Sequence, residues 1–220
     1  MPFPILSKEA LIPGRTSKLL LAAPAIAKSA RPGNFVMLRL SETGERFPLT
    51  IADADPEAGT ITIIYLAVGK STALLETLSE GDSILDVCGP LGRDAPIEKI
   101  GPVTCVGGGT GVAAMFHLAK GHARAGNPVT AVIGAASQNL LLMESELSSF
   151  CQRVLVATQD GSRGLKGLVT DALMGPLKEN PREVVAVGPV PMMEAVAEIT
   201  RPLGIKTIVS LNPIMLDGVG

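Results

Sequence analysis

Up to Pro96, the hydrophobic and polar positions follow the two-residue period of β-strands. Apolar and β-branched residues come in short runs, and clusters of glycine, proline and acidic residues separate them. This spacing is typical of a small antiparallel barrel. One helical stretch is predicted over 71–78, where Leu74, Leu75 and Leu78 share a face, and it ends ahead of Gly81. The predicted strands cover 35–40, 47–52, 60–66 and 83–87.

From Gly101 the pattern changes, because all-apolar runs now alternate with helical stretches. Such alternation predicts parallel βαβ units. We therefore expect a two-domain β plus α/β chain, with an N-terminal antiparallel β-barrel at 1–97 and a parallel-sheet, Rossmann-like domain at 98–220, joined by a linker at 94–101. The predicted strands are 103–106, 129–133, 154–157, 184–187 and 207–210, and the predicted helices are 111–125, 140–150, 167–173 and 191–199.

Composition and charge exclude several classes of protein. Hydrophobic residues make up 46% of the 220, and 24 glycines and 17 prolines indicate many tight turns in a folded chain. Aromatic residues make up only 3% and the net charge is -2, so neither base stacking nor a basic field favours nucleic acid as a partner. No apolar run approaches the ~20 residues of a membrane helix. We expect a soluble, cytoplasmic protein.

The cysteines and histidines predict neither a disulfide framework nor a metal site. Cys88, Cys105 and Cys151 are far apart and odd in number, and no C-x-x-C motif is present. We expect them to be buried thiols. His117 and His122 lie in or just after a predicted helix, and we interpret both as structural or surface residues.

A glycine-rich turn is the strongest local motif. Gly107-Gly108-Gly109-Thr110-Gly111 follows an apolar strand and opens a helix, which lets backbone N–H groups and the helix N-terminus meet a diphosphate. It matches neither G-x-G-x-x-G nor a P-loop. Taken alone, it could serve only packing.

Further small-residue turns follow the other predicted parallel strands, at Gly134-Ala135-Ala136, Asp160-Gly161-Ser162 and Gly188-Pro189. Ligands of open α/β sheets bind at this edge. Each turn alone could be a mere connection, but together they predict a nucleotide crevice.

Two segments of the barrel half carry a second candidate site. Arg46-Phe47-Pro48-Leu49-Thr50 begins one strand, and Val68-Gly69-Lys70-Ser71-Thr72 joins a strand to a helix that Ser71 or Thr72 is expected to cap. The free N–H groups and Lys70 predict a second diphosphate site. The alternative is an ordinary capped helix with a solvated lysine.

With G-P-L-G at 89–92 and a G-P-x-P-M turn at 188–192, these motifs resemble the ferredoxin-NADP reductase superfamily, in order and over nearly the whole chain. They look most like the branch that holds the small subunit of NADH-dependent reduced ferredoxin:NADP oxidoreductase and the dihydroorotate dehydrogenase electron-transfer subunit; the run Ser210-Leu211-Asn212-Pro213-Ile214-Met215 is part of that likeness.

The resemblance implies FAD on the barrel and NAD(H) or NADP(H) on the α/β domain. Arg46 would face the FAD phosphates, Pro48 and Leu49 would lie along the flavin, and Thr50 would act as the catalytic residue beside its reactive nitrogen. The other cofactor-binding residues implied for FAD are Leu66, Gly69, Lys70, Ser71 and Thr72, and those implied for the nicotinamide nucleotide are Gly107, Gly108, Gly109, Thr110, Gly111, Gly134, Asp160, Gly161, Gly188, Pro189 and Met192.

Some positions depart from the family pattern. Pro48 stands where the family usually has a flavin-stacking tyrosine, and Arg46 lies one place earlier than the pattern has it. Ala136 and Ser137 replace an arginine that many relatives carry, which favours NAD(H) over NADP(H).

The end of the chain departs as well. In the branch, a turn like Gly218-Val219-Gly220 is followed by the cysteines of a [2Fe-2S] cluster, and three scattered cysteines cannot supply four thiolates. The sequence is thus expected to be truncated or to lack the cluster naturally.

The function implied is an NAD(P)H-dependent flavin oxidoreductase subunit. Hydride would pass between nicotinamide C4 and flavin N5, and electrons would leave singly toward an iron-sulfur relay in a complex with a larger flavoprotein subunit, and through it to ferredoxin. Two alternatives stay open at this point, a dihydroorotate dehydrogenase electron-transfer subunit and a non-enzymatic nucleotide-binding module.

Overall fold

The computed structural model describes residues 2–211, and the chain divides into two compact units between Ala95 and Pro96. The predicted motifs at 212–215 and 218–220 lie outside the described residues.

The first unit is an antiparallel, barrel-like sheet with two short helices. Its strands are β1 (Phe3–Ile12), β2 (Thr16–Ala22), β3 (Phe35–Arg39), β4 (Phe47–Asp55), β5 (Thr60–Leu66), β6 (Ser83–Ile84) and β7 (Asp86–Leu91), and its helices are α1 (Pro24–Ser29) and α2 (Lys70–Thr77). The strand order is β6-β1-β2-β5-β4-β3-β7. The antiparallel, barrel-like architecture predicted from the sequence is confirmed.

The core of this unit follows the strand period. Leu19 and Leu21 of β2 and Ile61 and Ile63 of β5 are fully buried, as is Ile51 of β4. Successive side chains of a strand point to opposite faces, so these alternate residues meet on one face of the sheet.

β1 and β2 lie outside the predicted strands. β1 changes register against β2 between Ile5 and Ser7 and again between Ala10 and Ile12. Each irregularity shifts the side-chain alternation by one position, which hides the period of two in the sequence.

The second unit is a parallel sheet covered by helices. Its strands are β8 (Val103–Gly108), β9 (Val129–Ala135), β10 (Arg153–Thr158), β11 (Leu165–Lys166), β12 (Glu183–Val187) and β13 (Lys206–Val209), and its α-helices are α3 (Gly111–Arg124), α4 (Glu144–Ser148), α5 (Val169–Leu177) and α6 (Val190–Thr200). Two 3-10 turns cover Gln138–Leu140 and Arg201–Leu203.

The order of the parallel strands is β11-β10-β9-β8-β12-β13. The chain therefore moves away from β8 in one direction and then returns to add β12 on its other side. In an open α/β sheet the crevice at such a reversal, at the carboxyl ends of the strands, is where ligands bind. The parallel α/β fold predicted from the sequence is confirmed.

The helix predicted over 140–150 is wrong for most of its length. The backbone adopts the left-handed conformation at Met143, with φ +58°, and α4 covers only Glu144–Ser148. Leu142 and Leu147 are both buried, on either side of this break. The apolar spacing that resembles one helix therefore comes from two short elements.

A buried polar network lies at the amino-terminal edge of the parallel sheet. The His122 side chain is 2% exposed, with Nε2 3.5 Å from Glu183 Oε1, and Lys206 Nζ lies 2.6 Å from Glu183 Oε2. The other ring nitrogen of His122 is 3.3 Å from the Asn127 amide nitrogen.

The side chain of Asn127 in turn binds the segment that opens the second unit. Its amide oxygen accepts hydrogen bonds from the N–H groups of Ile100 and Gly101, at 2.8 and 3.0 Å, and its amide nitrogen donates to Glu98 O at 2.8 Å. The buried Asn127 side chain thus fixes the position of three backbone groups ahead of β8 through hydrogen bonds.

Candidate functional site

The predicted turns of the second unit meet at one edge. Gly108 at the end of β8 pairs with Gly134 of β9, and Gly107 pairs with Val187 at the end of β12. On the far side of β9, Thr158 of β10 pairs with Ala135. Four neighbouring strands therefore end in register, and their small-residue turns lie side by side.

Glycines at this edge allow close packing, against backbone at Gly111 and against the flexible end of the Met192 side chain at Gly108 and Gly188. A Cβ at Gly111 would lie 2.4 Å from Val187 O, and one at Gly108 would lie 2.5 Å from Met192 Sδ. A Cβ at Gly188 would lie 2.9 Å from Met192 Cε. These positions let α3 and α6 begin directly against the strand ends.

Two further glycines play the same part. A Cβ at Gly107 would lie 2.9 Å from Val112 Cγ2, and one at Gly134 would lie 2.5 Å from Val169 Cγ1.

Gly109 differs from the rest of the motif. Its φ is +54°, and a Cβ built on it would meet no heavy atom within 4 Å. Its N–H donates to Gly134 O at 3.0 Å, which anchors the turn while its α-carbon faces open space. Thr110, the N-cap of α3, makes no side-chain capping hydrogen bond. The N–H groups of Val112 and Ala113 donate to Gly109 O and Thr110 O at 3.2 and 3.1 Å. The N–H groups that suit an anionic diphosphate are therefore those of Thr110 and Gly111, at the very start of the helix.

A second helix begins beside the first. Pro189 is the N-cap of α6 and likewise makes no side-chain capping bond. Met192 sits half-buried in the first turn of α6, with its sulfur against Gly108. Two positive helix ends therefore adjoin the edge at which β8 and β12 end.

The turn after β10 carries a fixed negative charge. The exposed Asp160 carboxylate accepts hydrogen bonds from the Ser162 hydroxyl at 2.6 Å and from its N–H at 2.9 Å. Both bonds lower the pKa of Asp160 below its ordinary value, so the group is ionised at neutral pH.

The same turn also holds an arginine that is already paired. Arg163 Nη2 is 2.8 Å from Glu144 Oε1. Gly161, with φ +77°, makes the tight bend between Asp160 and Arg163. A Cβ built on it would lie 3.1 Å from the Lys166 side chain.

In the first unit, β4 separates the predicted flavin-contacting residues by face. Phe47 and Leu49 pack against the core cluster, whereas Pro48 is exposed and shares the other face with the half-buried Thr50. Thr50 lies opposite Phe35 of β3 in the sheet. Pro48 and Thr50 therefore present one surface together, and the Leu49 side chain points away from it.

The α2 turn is arranged differently from the prediction. The helix begins at Lys70 with Gly69 as N-cap, not at Ser71 or Thr72. The Thr72 hydroxyl oxygen accepts from the Gly69 N–H at 3.0 Å and the Val68 N–H at 3.2 Å. Its hydroxyl is thus used within the turn, while Lys70 is exposed at the start of the helix.

A residue that the sequence reasoning missed joins the two predicted segments. The Ser71 hydroxyl donates a short hydrogen bond to the Glu45 carboxylate. Because Glu45 directly precedes the exposed Arg46, this bond places the segment that leads into β4 next to the N-terminus of α2. Leu66, the last residue of β5, is half-buried.

The thiols and imidazoles have no arrangement for metal chemistry. Among residues 2–211, no group of three His, Cys, Asp or Glu side chains is placed to hold a metal ion. Cys105 is buried as expected and Cys151 is half-buried, but the prediction is wrong for Cys88, which is exposed on β7. Burial raises the pKa of Cys151 to about 11. Both histidines are buried, in keeping with a structural role.

Within the described part of the chain, no helix has the length and apolar character needed to span a membrane.

The chain is similar to known proteins in both sequence and structure. Residues 105–198 match the oxidoreductase NAD-binding domain family. A Thermotoga maritima protein, named as a homologue of the dihydroorotate dehydrogenase B (NAD(+)) electron transfer subunit, is 46% identical over 199 residues, which is 90% of this chain and 70% of that protein. The corresponding subunit of Geobacillus thermodenitrificans is 36% identical over 219 residues, or 96% and 83% of the two chains.

Solved structures agree with these relatives. A chain of the NADH-dependent reduced ferredoxin-NADP oxidoreductase, studied for flavin-based electron bifurcation, is 43% identical with a TM-score of 0.91, covering 99% of this chain and 78% of that one. A ferredoxin NADP+ reductase from Neisseria gonorrhoeae shares the fold, with 15% identity and a TM-score of 0.73 over 96% and 97% of the two chains.

The resemblance predicted from the motifs is confirmed by these matches. The chain therefore belongs to the family of dihydroorotate dehydrogenase electron-transfer subunits, within the ferredoxin-NADP reductase superfamily, and is an NAD(P)H-dependent flavin oxidoreductase subunit.

Proposed function

We propose that this chain binds NAD(H) at the glycine-rich edge of its second unit and FAD at the β4 and α2 surface of its first unit. The open turn at Gly109, at the N-terminus of α3, is the observation that carries the proposal. When bound, the nicotinamide supplies a hydride and the flavin accepts it and passes electrons onward. The functional domains proposed are 1–97 for FAD and 98–220 for the nicotinamide nucleotide.

At the nicotinamide site, the N–H groups of Thr110 and Gly111 are proposed to bind the diphosphate. The helix end supplies partial positive charge, and the hydrogen at Gly109 leaves room for close approach. Gly107, Gly108, Gly134 and Gly188 contribute by holding the strand ends and helix starts together, with Met192 filling the space between them. Pro189 and Gly161 line the two sides of the crevice.

The preference for NADH over NADPH is proposed to come from the turn after β10. A 2'-phosphate adds negative charge, and the oriented, ionised Asp160 repels it. The arginine of the same turn, Arg163, is neutralised by Glu144. A ribose 2'-hydroxyl, by contrast, can donate a hydrogen bond to a carboxylate.

At the flavin site, Pro48 and Thr50 are proposed to contact the ring, since both lie on the face of β4 that is turned away from the core. The Thr50 hydroxyl provides a hydrogen bond beside the reacting nitrogen, and Leu66 closes the edge of the site at the end of β5.

The diphosphate of FAD is proposed to lie at the start of α2. The N–H groups of Lys70 and Ser71, the Lys70 ammonium and the adjacent Arg46 supply donors and positive charge there. Gly69 allows close approach, since a Cβ there would meet only the Thr72 hydroxyl, at 3.8 Å.

Electrons are proposed to leave through a partner. The relatives in Thermotoga and Geobacillus are named as electron transfer subunits. We propose a larger flavoprotein or iron-sulfur subunit as the partner and ferredoxin as an electron carrier reached through that complex. A [2Fe-2S] cluster with ligands other than the residues of this chain and a cytoplasmic location are part of the same proposal.

Reconstitution tests the core of this proposal. Purified chain is incubated with FAD, desalted, and assayed with NADH or NADPH and ferricyanide as electron acceptor. We expect retained yellow flavin and faster oxidation of NADH than of NADPH. Protein that stays colourless and oxidises neither nucleotide would support a non-enzymatic nucleotide-binding module instead.

A second candidate is electron transfer to a dihydroorotate dehydrogenase, with which the 46% identical relative is compatible. The chemistry on this chain is the same and the partner differs. Affinity purification from the source organism separates the two, because a dihydroorotate-oxidising partner supports the second candidate, and a ferredoxin- and NADP-linked flavoprotein supports the first.

A further inference from the structure

The helix that leads from the proposed FAD diphosphate site is weakly held by apolar packing. α2 has eight residues, and Leu75 is its only fully buried side chain. A helix this short is not stable by itself, so its direction depends on contacts with the rest of the unit. At its first turn, the hydrogen bond between Ser71 and Glu45 joins the helix to another segment.

Glu76, near the other end of α2, makes polar contacts with three strands. One carboxylate oxygen accepts a 2.6 Å hydrogen bond from the Tyr65 hydroxyl of β5, and the other accepts a 3.0 Å bond from the Ser17 hydroxyl of β2. Lys8 of β1 lies 3.5 Å from the same carboxylate. Lys8 Nζ also donates to Leu78 O at 2.8 Å, which caps the end of the helix.

These partners keep Glu76 ionised. Partial burial alone would raise its pKa, but the hydrogen bonds from Tyr65 and Ser17 and the charge of Lys8 outweigh burial and lower the pKa. Burial and the neighbouring carboxylate raise the pKa of Tyr65, so its hydroxyl stays protonated and donates. Hydrogen bonds to an ionised acceptor are the strong ones, which makes this contact a firm anchor.

We propose that Glu76 is a positioning residue for FAD. By tying α2 to β1, β2 and β5, it fixes the helix direction so that the N–H groups of Lys70 and Ser71 face the cofactor diphosphate. Glu76 is six residues from Lys70, roughly 9 Å along the helix axis, so a small tilt at the anchor displaces the donors at the other end. The inference rests on the proposed FAD site at the start of α2.

The test compares two probes that differ in the diphosphate. FAD and riboflavin carry the same isoalloxazine ring, but riboflavin has no phosphate. Their dissociation constants are measured by quenching of flavin fluorescence in the wild type and in Glu76→Gln, which removes the charge and keeps the size. Glu9→Gln is the matched control. Glu9 lies next to Lys8 on β1, and the change breaks its exposed 3.2 Å ion pair with Lys18.

We expect Glu76→Gln to weaken FAD binding about tenfold, which corresponds to about 1.4 kcal/mol, and to change riboflavin binding by less than about twofold. Glu9→Gln should change neither. Equal weakening of both ligands would mean that Glu76 only supports the fold, and unchanged FAD binding would mean that it does not position α2. Either result overturns the inference.

Two further variants keep the test decisive if Glu76→Gln does not fold. Tyr65→Phe and Ser17→Ala each remove one hydrogen bond to Glu76, and each should weaken FAD binding selectively by a few-fold; no selective effect in either would also overturn the inference. Failure of the proposed function gives a different result, because then the wild type itself binds no FAD.

Discussion

Replacing Gly109 with alanine separates ligand binding from folding. A Cβ at Gly109 would meet no heavy atom within 4 Å, so the change introduces no clash inside the protein. Its φ of +54° is the left-handed region, in which a residue with a side chain is strained by about 1 kcal/mol. For a chain of this size that strain lowers Tm by about 2–4 °C.

Ligand binding should suffer more. A methyl group on the open side of the turn occupies the space that the diphosphate needs, and overpacking of this kind costs about 1–3 kcal/mol. This corresponds to a rise of roughly fivefold to 150-fold in the Kd for NADH. Gly109→Val, with a larger side chain, should abolish nicotinamide binding while FAD is retained.

Gly204→Ala is the matched control. Gly204 lies in the same unit, has φ +66° and also has nothing within 4 Å of a built Cβ, so it carries the same backbone strain away from the proposed site. NADH binding is measured by calorimetry and Tm by thermal denaturation. If Gly109→Ala binds NADH as tightly as Gly204→Ala does, the diphosphate does not approach this turn and the reasoning fails.

Two other substitutions test the flavin site and the buried network. Thr50→Val should slow reduction of the flavin by NADH about fivefold in stopped-flow measurements, because it removes a hydrogen bond of about 1 kcal/mol where the reaction occurs. FAD affinity should change less than about twofold; equal losses in both would contradict the role given to Thr50. His122→Gln tests pH dependence. Burial lowers the pKa of His122 in the folded protein, with Glu183 opposing and Lys206 adding to the effect. The unfolded chain therefore takes up a proton below about pH 6.5 that the folded protein resists, and stability falls as the pH drops from 7 to 5.5. The decrease in Tm over this range should be smaller in His122→Gln than in the wild type, and an equal decrease in both would show that His122 is not responsible.

The parallel half of the fold is readable from sequence because its strands are buried on both faces. Val103 and Val106 of β8 and Val184 and Val185 of β12 are all buried, so each strand is a nearly continuous apolar run. The first strands of the barrel are not readable in this way. The two register changes along β1 remove the alternation on which the prediction depends.

The candidate sites could be located from sequence but not resolved into roles. The glycine motif predicts a helix start at the end of a strand, and the structure has one there. What separates Gly109 from Gly111 is the distance to Val187, which lies on a strand far away in the sequence. Glu45 and Glu76 were missed for the same reason, since their partners Ser71 and Tyr65 belong to other elements of the unit and no local motif marks them.

The Asn127 contacts determine where a fragment of the second unit should begin. Asn127 is 4% exposed, and its partners Glu98, Ile100 and Gly101 all precede the first strand of the parallel sheet. A fragment starting at Val103 would bury an amide without these partners, at a cost of about 1–3 kcal/mol for each unsatisfied group. A fragment starting at Pro96 retains them. The start of the sheet therefore does not determine the first residue needed for isolated expression. The Asn127 side chain determines it, although Asn127 lies 29 positions after Glu98.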